Sequence, residues 1–374
     1  MLSSFTNKVK TQALNLGFDL VGITSADPPR HGNYYATWIE NGMSGEMSYL
    51  ERHINHKQNP DKVLPNIQSL VVVAMNYRCP DSEPIPDGSH RGKIAQYARG
   101  DDYHRLMKDK LQELLQFIQE KADRPVQGKV YVDTGPVLER EFAVRAGLGW
   151  FGKHTNLINK NIGSWLLIGE ILLDLELIKD KTTTDHCGTC TKCIEACPTD
   201  AIPEPYVVDS RRCISYLTIE LKGEIPLKYR EMIGNHVFGC DDCQDVCPWN
   251  RKAHISQHPE FYSRPWNEMP DLIRMLRWSS KDFQTRFKNS PIKRTKRKGL
   301  LRNAAVALGN TKDPAAIAPL VISLSDEEPL VRSHAAWALG NIGGDKALSA
   351  LLMAKNTEKN PDVIREIEMA LTST

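Results

Sequence analysis

The chain has 374 residues, a mass of 42.2 kDa and a formal net charge of +2. This length exceeds a single ordinary hydrophobic core, so we expect two or three domains. Apolar residues make up 41% and charged residues 25% of the chain, the balance of a folded soluble protein, and no run of eighteen apolar residues occurs. We therefore expect a cytoplasmic protein that has neither a membrane span nor a secretory signal.

The first 175 residues alternate between helical and strand-like patterns. Apolar residues at helical spacing predict helices over residues 4–16, 101–122 and 139–146. Short apolar runs rich in β-branched residues predict strands over residues 18–23, 69–77, 129–132 and 165–173. This alternation predicts an α/β domain in which helices pack on a layered sheet. Because no GxGxxG motif follows a predicted strand and no GxxxxGK[ST] motif occurs, nicotinamide and nucleoside-triphosphate sites have no support, whereas a flavin stays open.

Asp133 is the first candidate for chemistry in this region. It ends a predicted strand and precedes a Thr-Gly-Pro turn, which is a usual place for catalytic groups. A carboxyl group there can donate a proton, provided that burial raises its pKa. The alternative is a carboxylate that only caps the following helix.

Eight of the nine cysteines lie between residues 187 and 247. The run C-x2-C-x2-C-x3-C-P from residue 187 is the ligand pattern of bacterial ferredoxins, in which the fourth cysteine binds the other of two [4Fe–4S] clusters. The run C-x2-C-x3-C-P from residue 240 is one ligand short, and Cys213 supplies the missing sulfur. Structural zinc is the alternative, and Cys79 is predicted to be a packing residue. The predicted ligands are Cys187, Cys190, Cys193 and Cys247 for cluster 1, and Cys197, Cys213, Cys240 and Cys243 for cluster 2.

The last 76 residues contain an internal repeat. The segment AAVALGN at residues 304–310 returns as AAWALGN at residues 335–341, an offset of 31 residues. A repeat of this length, made of short helices separated by Gly, Asn and Pro, indicates a HEAT-like α-solenoid. Such solenoids usually present a binding surface, although a purely structural cap is the alternative.

A strongly basic stretch leads into the solenoid. Residues 283–311 contain no acidic residue. A solvated face is the ordinary explanation of such a run, but concentrated Lys and Arg can also neutralise phosphates and release counterions. RNA or DNA is therefore the leading candidate partner. The basic residues are Arg286, Lys288, Lys293, Arg294, Lys296, Arg297, Lys298 and Arg302.

These features together resemble the epoxyqueuosine reductase family along the whole chain. The matching motifs are YARGDDYH (97–104), VDTGP (132–136), GLGW (147–150) followed by GK (152–153), GSW (163–165), RCISYLT (212–218), FGCD (238–241) and RN (302–303). The resemblance implies an α+β/α multidomain protein. Its parts are an α/β cobalamin-binding catalytic domain (1–175), a ferredoxin-like domain with two [4Fe–4S] clusters (176–260), a basic connector (261–298) and a HEAT-like repeat domain (299–374).

The resemblance also implies the reaction and its partners. The substrate is a tRNA with a GUN anticodon that carries epoxyqueuosine, which is reduced to queuosine with Asp133 as the proton donor. Electrons pass from an external low-potential donor through the clusters to base-off cobalamin, and we expect a monomer without a membrane partner. The DxHxxG signature that supplies a histidine to cobalt is absent, because Met107 replaces its glycine. His104 is therefore interpreted as a helix-surface or RNA-proximal residue.

Individual contacts carry over from the family by position. Those to the corrin are Lys57, Asp133, Leu157, Ile168, Ser215, Asp241 and Asp242, of which Leu157 and Ile168 could equally be core residues and Asp241 and Asp242 loop caps. Those to tRNA are Lys222, Lys293, Arg294, Lys296, Arg297, Lys298 and Arg302.

Two other functions remain open on the sequence. A corrinoid reductive dehalogenase also pairs cobalamin with two clusters, but it predicts no RNA-binding tail and typically an export signal. A non-catalytic electron-transfer protein that docks a partner through its repeats needs neither cobalamin nor Asp133. Binding of a base-off corrin and activity on tRNA distinguish these functions.

Overall fold

The computed structural model of the protein describes residues 2–80 and 90–372. The strands within those residues are β1 (Leu20–Ser25), β2 (Ser69–Asn76), β3 (Lys93–Ile94), β4 (Gly128–Val132), β5 (Trp150–Phe151), β6 (Leu157–Ile158), β7 (Leu166–Leu173) and β8 (His236–Phe238). Four of them form a sheet in the order β1-β2-β7-β4, in which every neighbouring pair is antiparallel. The predicted layered sheet is thus present, but its strands are not the parallel strands of an α/β crossover fold.

Helices cover both faces of this sheet. They are α1 (Leu2–Asn15), α2 (Gly32–Glu40), α3 (Ser48–Glu51), α4 (Ile54–Gln58), α5 (Pro60–Val63), α6 (Tyr103–Lys121) and α7 (Glu139–Arg145). The apolar stripe of α6, which includes Met107, Leu111 and Leu114, packs with α1 against one face. Phe142 and Ala143 of α7 pack against the other. Because β2 and β7 are buried on both sides, their sequences are almost entirely apolar, although β7 includes the buried Glu170.

The cysteine-bearing segment contains only short elements. Its helices are α8 (Lys192–Glu195), α9 (Ile214–Ile219), α10 (Leu227–Arg230) and α11 (Asp242–Asp245). β8, which comes just before Cys240, pairs in parallel with β3 from the first part of the chain. This pairing joins the second cysteine run to the segment that leads into α6.

The C-terminal helices form the predicted solenoid. They are α12 (Leu272–Leu276), α13 (Ser280–Arg286), α14 (Lys296–Thr311), α15 (Ile317–Ser323), α16 (Pro329–Ile342), α17 (Asp345–Thr357) and α18 (Pro361–Thr372). α14, α16 and α18 stack on one another. The glycine of each sequence repeat lies at these contacts, because a Cβ on Gly309 would stand 2.8 Å from the Trp337 ring and one on Gly340 would stand 2.7 Å from Ala370.

The solenoid is packed firmly against the rest of the molecule. One apolar core runs from Ile94 and Phe238 through α12 to α18, and Arg230 forms a buried ion pair with Glu366 at 2.7 Å. Residue 298, at which the predicted basic connector (261–298) ends, lies in the first turn of α14, and the connector also contains α12 and α13. In the described part of the chain, no helix has both the length and the apolar character that crossing a membrane requires.

Candidate active site and cluster-binding cysteines

The eight clustered cysteines are free thiols that lie in two groups. Burial and then the charges of Cys187, Cys247 and Cys190 raise the pKa of Cys193 to about 11, which places these four thiols together. The remaining thiols are neighbours in the same way, because Cys213 acts on Cys240 and Cys243, and Cys197 acts on Cys213. Cys193 of the first group also acts on Cys243, so the two groups lie next to each other, and the assignment of four thiols to each [4Fe–4S] cube stays a prediction.

Cys79 stands apart from both groups. It is 1% exposed, and its thiol contacts the carbonyl oxygen of Phe261 at 3.2 Å. Its surroundings are those of the small packing residue that the sequence predicts.

Asp133 follows β4 at a point where the chain turns sharply. It has a φ of +58°, which is unusual for a residue other than glycine. The N–H of Thr134 donates to the carbonyl oxygen of Val132 at 2.6 Å and closes the turn. The Asp133 side chain is half exposed, so a substrate can reach its carboxylate.

His104 joins Asp133 to a second carboxylate. Its Nε2 lies 3.3 Å from Oδ2 of Asp133 and its Nδ1 lies 2.7 Å from Oδ1 of Asp102. Carboxylates only accept hydrogen bonds, so both contacts are satisfied together only when His104 carries two ring protons. Asp102 is also the N-cap of α6 and accepts the backbone N–H of His104. The histidine is thus held on the first turn of α6 between two acids.

The pKa values of this pair differ from the sequence expectation. Burial lowers the pKa of His104, but hydrogen bonds to Asp102 and Asp133 outweigh it and raise that pKa to about 9. Burial raises the pKa of Asp133, yet the hydrogen bond and charge of His104, with Arg294 and Arg140, bring it below its ordinary value. Burial thus acts on the Asp133 pKa in the expected direction, but the neighbouring cations outweigh it and the net pKa is lowered. At neutral pH the proton resides on His104.

A second set of ionisable groups lies beneath Asp133. The backbone N–H of Asp133 donates to Glu139, and burial followed by the charge of Asp133 raises the pKa of Glu139 to about 7. Glu170 on β7 is 1% exposed, and its pKa is raised strongly by burial and then by the charge of Glu139. Lys57 completes the set. Its pKa is lowered by burial despite the three acids that face it.

The remaining predicted corrin contacts fall into buried and accessible positions. Leu157 and Ile168 are core residues that are 2% and 9% exposed. Asp241 is also buried, and its carboxylate accepts the N–H of Gln96 at 2.7 Å, so this side chain is engaged within the protein. Ser215, in the first turn of α9, follows Cys213 closely and is partly exposed. Asp242 is also partly exposed, and its carboxylate pairs with His236 at 3.1 Å.

The predicted tRNA contacts divide sharply between surface and interior. Lys222, Lys293 and Lys296 are exposed. Arg294 is also exposed, pairs with Glu220 and lies over the Tyr49 ring, 5.3 Å from its centroid. Together with its effect on the Asp133 pKa, this places one end of the basic stretch at the mouth of the acid site.

Arg302 is a correction to the predicted tRNA surface. It is fully buried, and its guanidinium donates to the carbonyl oxygens of Leu217, Leu221 and Gly223 at 2.7–2.9 Å. A cation there satisfies carbonyl groups that the end of α9 leaves unpaired. Arg302 is therefore a structural residue and not a phosphate ligand.

Arg297 is engaged within the protein, whereas Lys298 lies at the surface near an acid. The Arg297 side chain is 14% exposed and forms an ion pair with Asp326 at 2.6 Å. Lys298 lies 3.8 Å from Glu328. Acids of the next repeat, which are distant in the sequence, thus neutralise part of the acid-free stretch.

Family models match three parts of the chain. They are described as "Epoxyqueuosine reductase QueG, DUF1730" over residues 57–134, "4Fe-4S double cluster binding domain" over residues 186–250 and "HEAT repeats" over residues 293–372. An epoxyqueuosine reductase of Xanthomonas campestris is 42% identical over 340 residues, which cover 90% of this chain and 96% of the relative. One of Escherichia coli is 37% identical over 373 residues, which cover 99% and 97%. The chain belongs to the epoxyqueuosine reductase family.

Solved members of the epoxyqueuosine reductase family have the same fold. A crystal structure with an epoxyqueuosine-modified stem loop of tyrosine tRNA superposes with a TM-score of 0.94 at 32% identity, and the match covers 100% of this chain and 99% of that one. A structure from Bacillus subtilis, described as having a catalytic aspartate loop swung out of the active site, superposes with a TM-score of 0.92 at 31% identity. The match covers 100% of both chains.

Sequence reasoning did not recognise the pairing of His104 with Asp133. The sequence did contain a sign of the contact between His104 and Asp102. In the motif at residues 97–104 of this epoxyqueuosine reductase family member, Asp102 precedes His104 by two residues at the start of a helix. That spacing predicts the Asp102 contact. It contains nothing about Asp133, which comes 29 residues later and is brought near only by the packing of α6 on the sheet.

Proposed function

We propose that this protein reduces epoxyqueuosine to queuosine in the anticodon loop of tRNA. The observation that carries the proposal is a protonated His104 paired with Asp133, in a chain that also holds two groups of four thiols. Removal of the epoxide oxygen as water consumes two electrons and two protons and leaves a carbon–carbon double bond. The thiol groups fit clusters that supply electrons, and the pair supplies a proton.

The proton path begins at His104. At neutral pH its Nε2 proton faces Oδ2 of Asp133, and the half-exposed carboxylate is the group that a substrate oxygen can approach. Asp133 takes the Nε2 proton of His104 and passes it to the leaving oxygen, solvent supplies the second proton, and Asp102 holds the ring in position. Arg294 and Arg140 lower the pKa of Asp133, so they keep it a carboxylate between turnovers.

The order of the two clusters follows from their surroundings. The loop that carries Cys187 and Cys190 is exposed at Gly188 and Thr189, which suits a point where an external low-potential donor delivers electrons. The second group connects to the acid site through aromatic rings. Gly239, next to Cys240, packs on Tyr97. Tyr97 contacts Tyr103, whose ring stacks on His104 at 4.1 Å.

We infer that base-off cobalamin binds between the sheet and the cysteine-bearing segment, with Lys57 and Ser215 as side-chain contacts. Both nitrogens of His104 already face carboxylates, which fits a cobalt without a protein imidazole. β4 pairs with β7 only as far as Val132 and Gly169. Among the described residues, Ile168 therefore has no strand partner on the side of β7 that faces β4. Its backbone can contact a cofactor there. Bound cobalamin supplies a strongly reducing cobalt centre to the epoxide carbon.

The tRNA is proposed to be one with a GUN anticodon, bound by the exposed basic residues Lys222, Lys293, Arg294 and Lys296, of which Arg294 also pairs with Glu220. Lys222, Arg294 and Lys296 lie close enough to act on one another electrostatically, so they can bind phosphates together while a loop base enters the site. We propose that the chain acts as a monomer, with the catalytic and cluster domains divided near residue 175 and residue 260.

The direct test uses protein reconstituted with iron, sulfide and cobalamin under anaerobic conditions. Incubation with reductant and epoxyqueuosine-containing tRNA should yield queuosine, detected by mass spectrometry of the digested nucleosides. An unchanged tRNA in the presence of two reducible clusters and a bound corrin would contradict the proposal. Turnover of an organohalide in its place would indicate the dehalogenase alternative, and failure to bind cobalamin would indicate the electron-transfer alternative.

Reversal of charge in the double variant Lys293→Glu and Lys296→Glu is expected to weaken tRNA binding at least tenfold at low salt. The variant should also flatten the dependence of the dissociation constant on salt, because fewer counterions are released. The measurement is a salt titration of binding to an anticodon stem loop. The matched control reverses the exposed Lys346 and Lys359 in the last helical pair. Equal losses in the two variants would mean that only net charge matters.

Replacement of His104 by glutamine is expected to change the pH profile of turnover. The folded pKa of His104, about 9, lies above its ordinary value near 6.5, so its proton is present at neutral pH and is lost as the pH rises through 9. Turnover of the unaltered protein should therefore fall roughly tenfold per pH unit above that value. The glutamine variant should be slower at pH 7 and should lack this fall. An identical alkaline limb in the variant would assign it to another group.

A further inference from the structure

The sequence motif at residues 147–153 lies against the first cysteine group and not beside Asp133. Gly149 brings β5 close to β6, since a Cβ there would stand 2.1 Å from the carbonyl oxygen of Ile158. Trp150 and Ile158 then form one apolar cluster with Cys247, and Cys187 packs on it. The glycine-rich part of the motif therefore serves to bring Trp150 to the cluster 1 thiols.

The indole of Trp150 has an unusual environment. The residue is 3% exposed, and its ring packs edge-on against Trp249 at 5.0 Å and His186 at 4.9 Å. Its Nε1 is buried and makes no hydrogen bond of normal geometry among the described residues. Burial raises the pKa of the Cys187 thiol, and the backbone N–H of Lys153 and then the indole of Trp150 act to lower it, so this free N–H lies beside the Cys187 sulfur.

Lys153 supplies the second contact of the motif. This lysine is only 9% exposed. Its Nζ donates to the carbonyl oxygens of Gly188 at 2.7 Å and Cys190 at 3.0 Å. The ammonium group therefore holds the loop between two predicted cluster ligands. Its charge is buried beside them.

We propose that Trp150 and Lys153 set the reduction potential of cluster 1 and make it the more easily reduced of the two clusters. Hydrogen bonds to cluster sulfurs and nearby positive charge stabilise the added electron, and both raise the potential. The inference rests on the proposed function only in taking the first cysteine group to hold a [4Fe–4S] cluster.

The charges around the two cysteine groups differ in the direction that would give cluster 1 the higher reduction potential. Cys187 is faced by Lys153 and by one acid, Asp185. In the second group, Asp242 acts on Cys240 and Asp241 acts on Cys243. Carboxylates near a cluster disfavour its reduction, so cluster 2 should have the lower potential. Electrons would then reside mainly on cluster 1 and would pass to cluster 2 when the reaction at the active site consumes them.

The test is a redox titration of the reconstituted protein, followed by electron paramagnetic resonance of the reduced clusters. Trp150→Phe keeps the ring and removes the N–H. It should lower the reduced-to-oxidised ratio of the higher-potential cluster roughly threefold to tenfold at fixed potential, where tenfold corresponds to 59 mV for one electron. The lower-potential cluster should not change. Trp249→Phe is the matched control, because it makes the same chemical change in the same ring cluster.

The lysine provides an independent second pair of variants. Lys153→Met should shift the same cluster in the same direction, and Lys153→Arg, which keeps the charge, should restore its potential. Any of three results would overturn the inference. They are an unshifted potential in both Trp150→Phe and Lys153→Met, a shift of the lower-potential cluster, and an equal shift in Trp249→Phe. The proposed function would survive each of these results. It would fail separately if the unaltered protein held no clusters.

Discussion

Replacement of Asp133 by asparagine is expected to lower the rate of queuosine formation at least a hundredfold. Asparagine keeps the shape of the side chain but can neither take the proton from His104 nor pass it on, and general acids typically contribute about 10²-fold to 10⁴-fold. The substitution also removes one of the two carboxylates that raise the pKa of His104, so that pKa should fall and the proton on His104 should be held less firmly. The measurement is single-turnover conversion of epoxyqueuosine-containing tRNA with the clusters already reduced.

The matched control for this variant is Asp101→Asn. Asp101 belongs to the same acidic motif as Asp102, but its carboxylate pairs with Arg264 at 2.5 Å. The Asp101→Asn variant should therefore retain turnover within severalfold of the unaltered protein. Both variants should keep the iron absorbance and the tRNA affinity. Full turnover by Asp133→Asn would exclude proton transfer through this residue. The His104 pairing would then be structural.

Replacement of Cys213 by alanine is expected to remove one complete cluster and abolish turnover. Cys213 is separated in sequence from both cysteine runs, yet it lies against Cys240 and Cys243, so three thiolates would remain for cluster 2. Iron content should fall from about eight to about four atoms per chain, since each cube holds four. The measurement is iron and sulfide analysis together with the spectrum of the reduced protein, followed by the tRNA assay.

Cys79→Ala is the control for the cysteine variant. It removes a thiol of the same size, but from a buried position that contacts Phe261 and none of the eight clustered cysteines. Both clusters and turnover should survive this substitution. If Cys213→Ala kept about eight iron atoms, the assignment of Cys213 as a ligand of cluster 2 would be wrong. If Cys79→Ala lost iron, the ninth cysteine would have to be reconsidered.

Local patterns predicted most of the secondary structure and the grouping of the cysteines. The predicted helix at residues 101–122 is observed as Tyr103–Lys121, and the predicted strand at residues 69–77 as Ser69–Asn76. Apolar periodicity and capping act over a few residues, which is why they can be read directly. Cysteine spacing is informative for the same reason, because one short loop must place three sulfurs around one cluster. The direction of the strands is a tertiary property, and the alternation of elements did not reveal it.

The basic stretch shows what a sequence pattern can and cannot predict about a binding surface. The run of cations was evident in the sequence, but the sequence could not say which of them face solvent. Arg302 turns inward to the carbonyl groups at the end of α9, and Arg297 pairs with Asp326 of the next repeat. What is left for phosphates is a smaller group, Lys222, Lys293, Arg294 and Lys296, part of which comes from a different segment of the chain.

The length, the balanced composition and the near-zero net charge by themselves determined a multidomain folded protein with no global sign of its partner. The cysteine spacing added two predicted clusters, and the repeat added a solenoid, since both depend on residues close together in the chain. Only the tertiary structure decided which proton is available. It brings His104 of α6 to Asp133 after β4, and cations then hold the aspartate pKa low. That interaction depends on distance in space and on the surrounding charges, and sequence separation specifies neither.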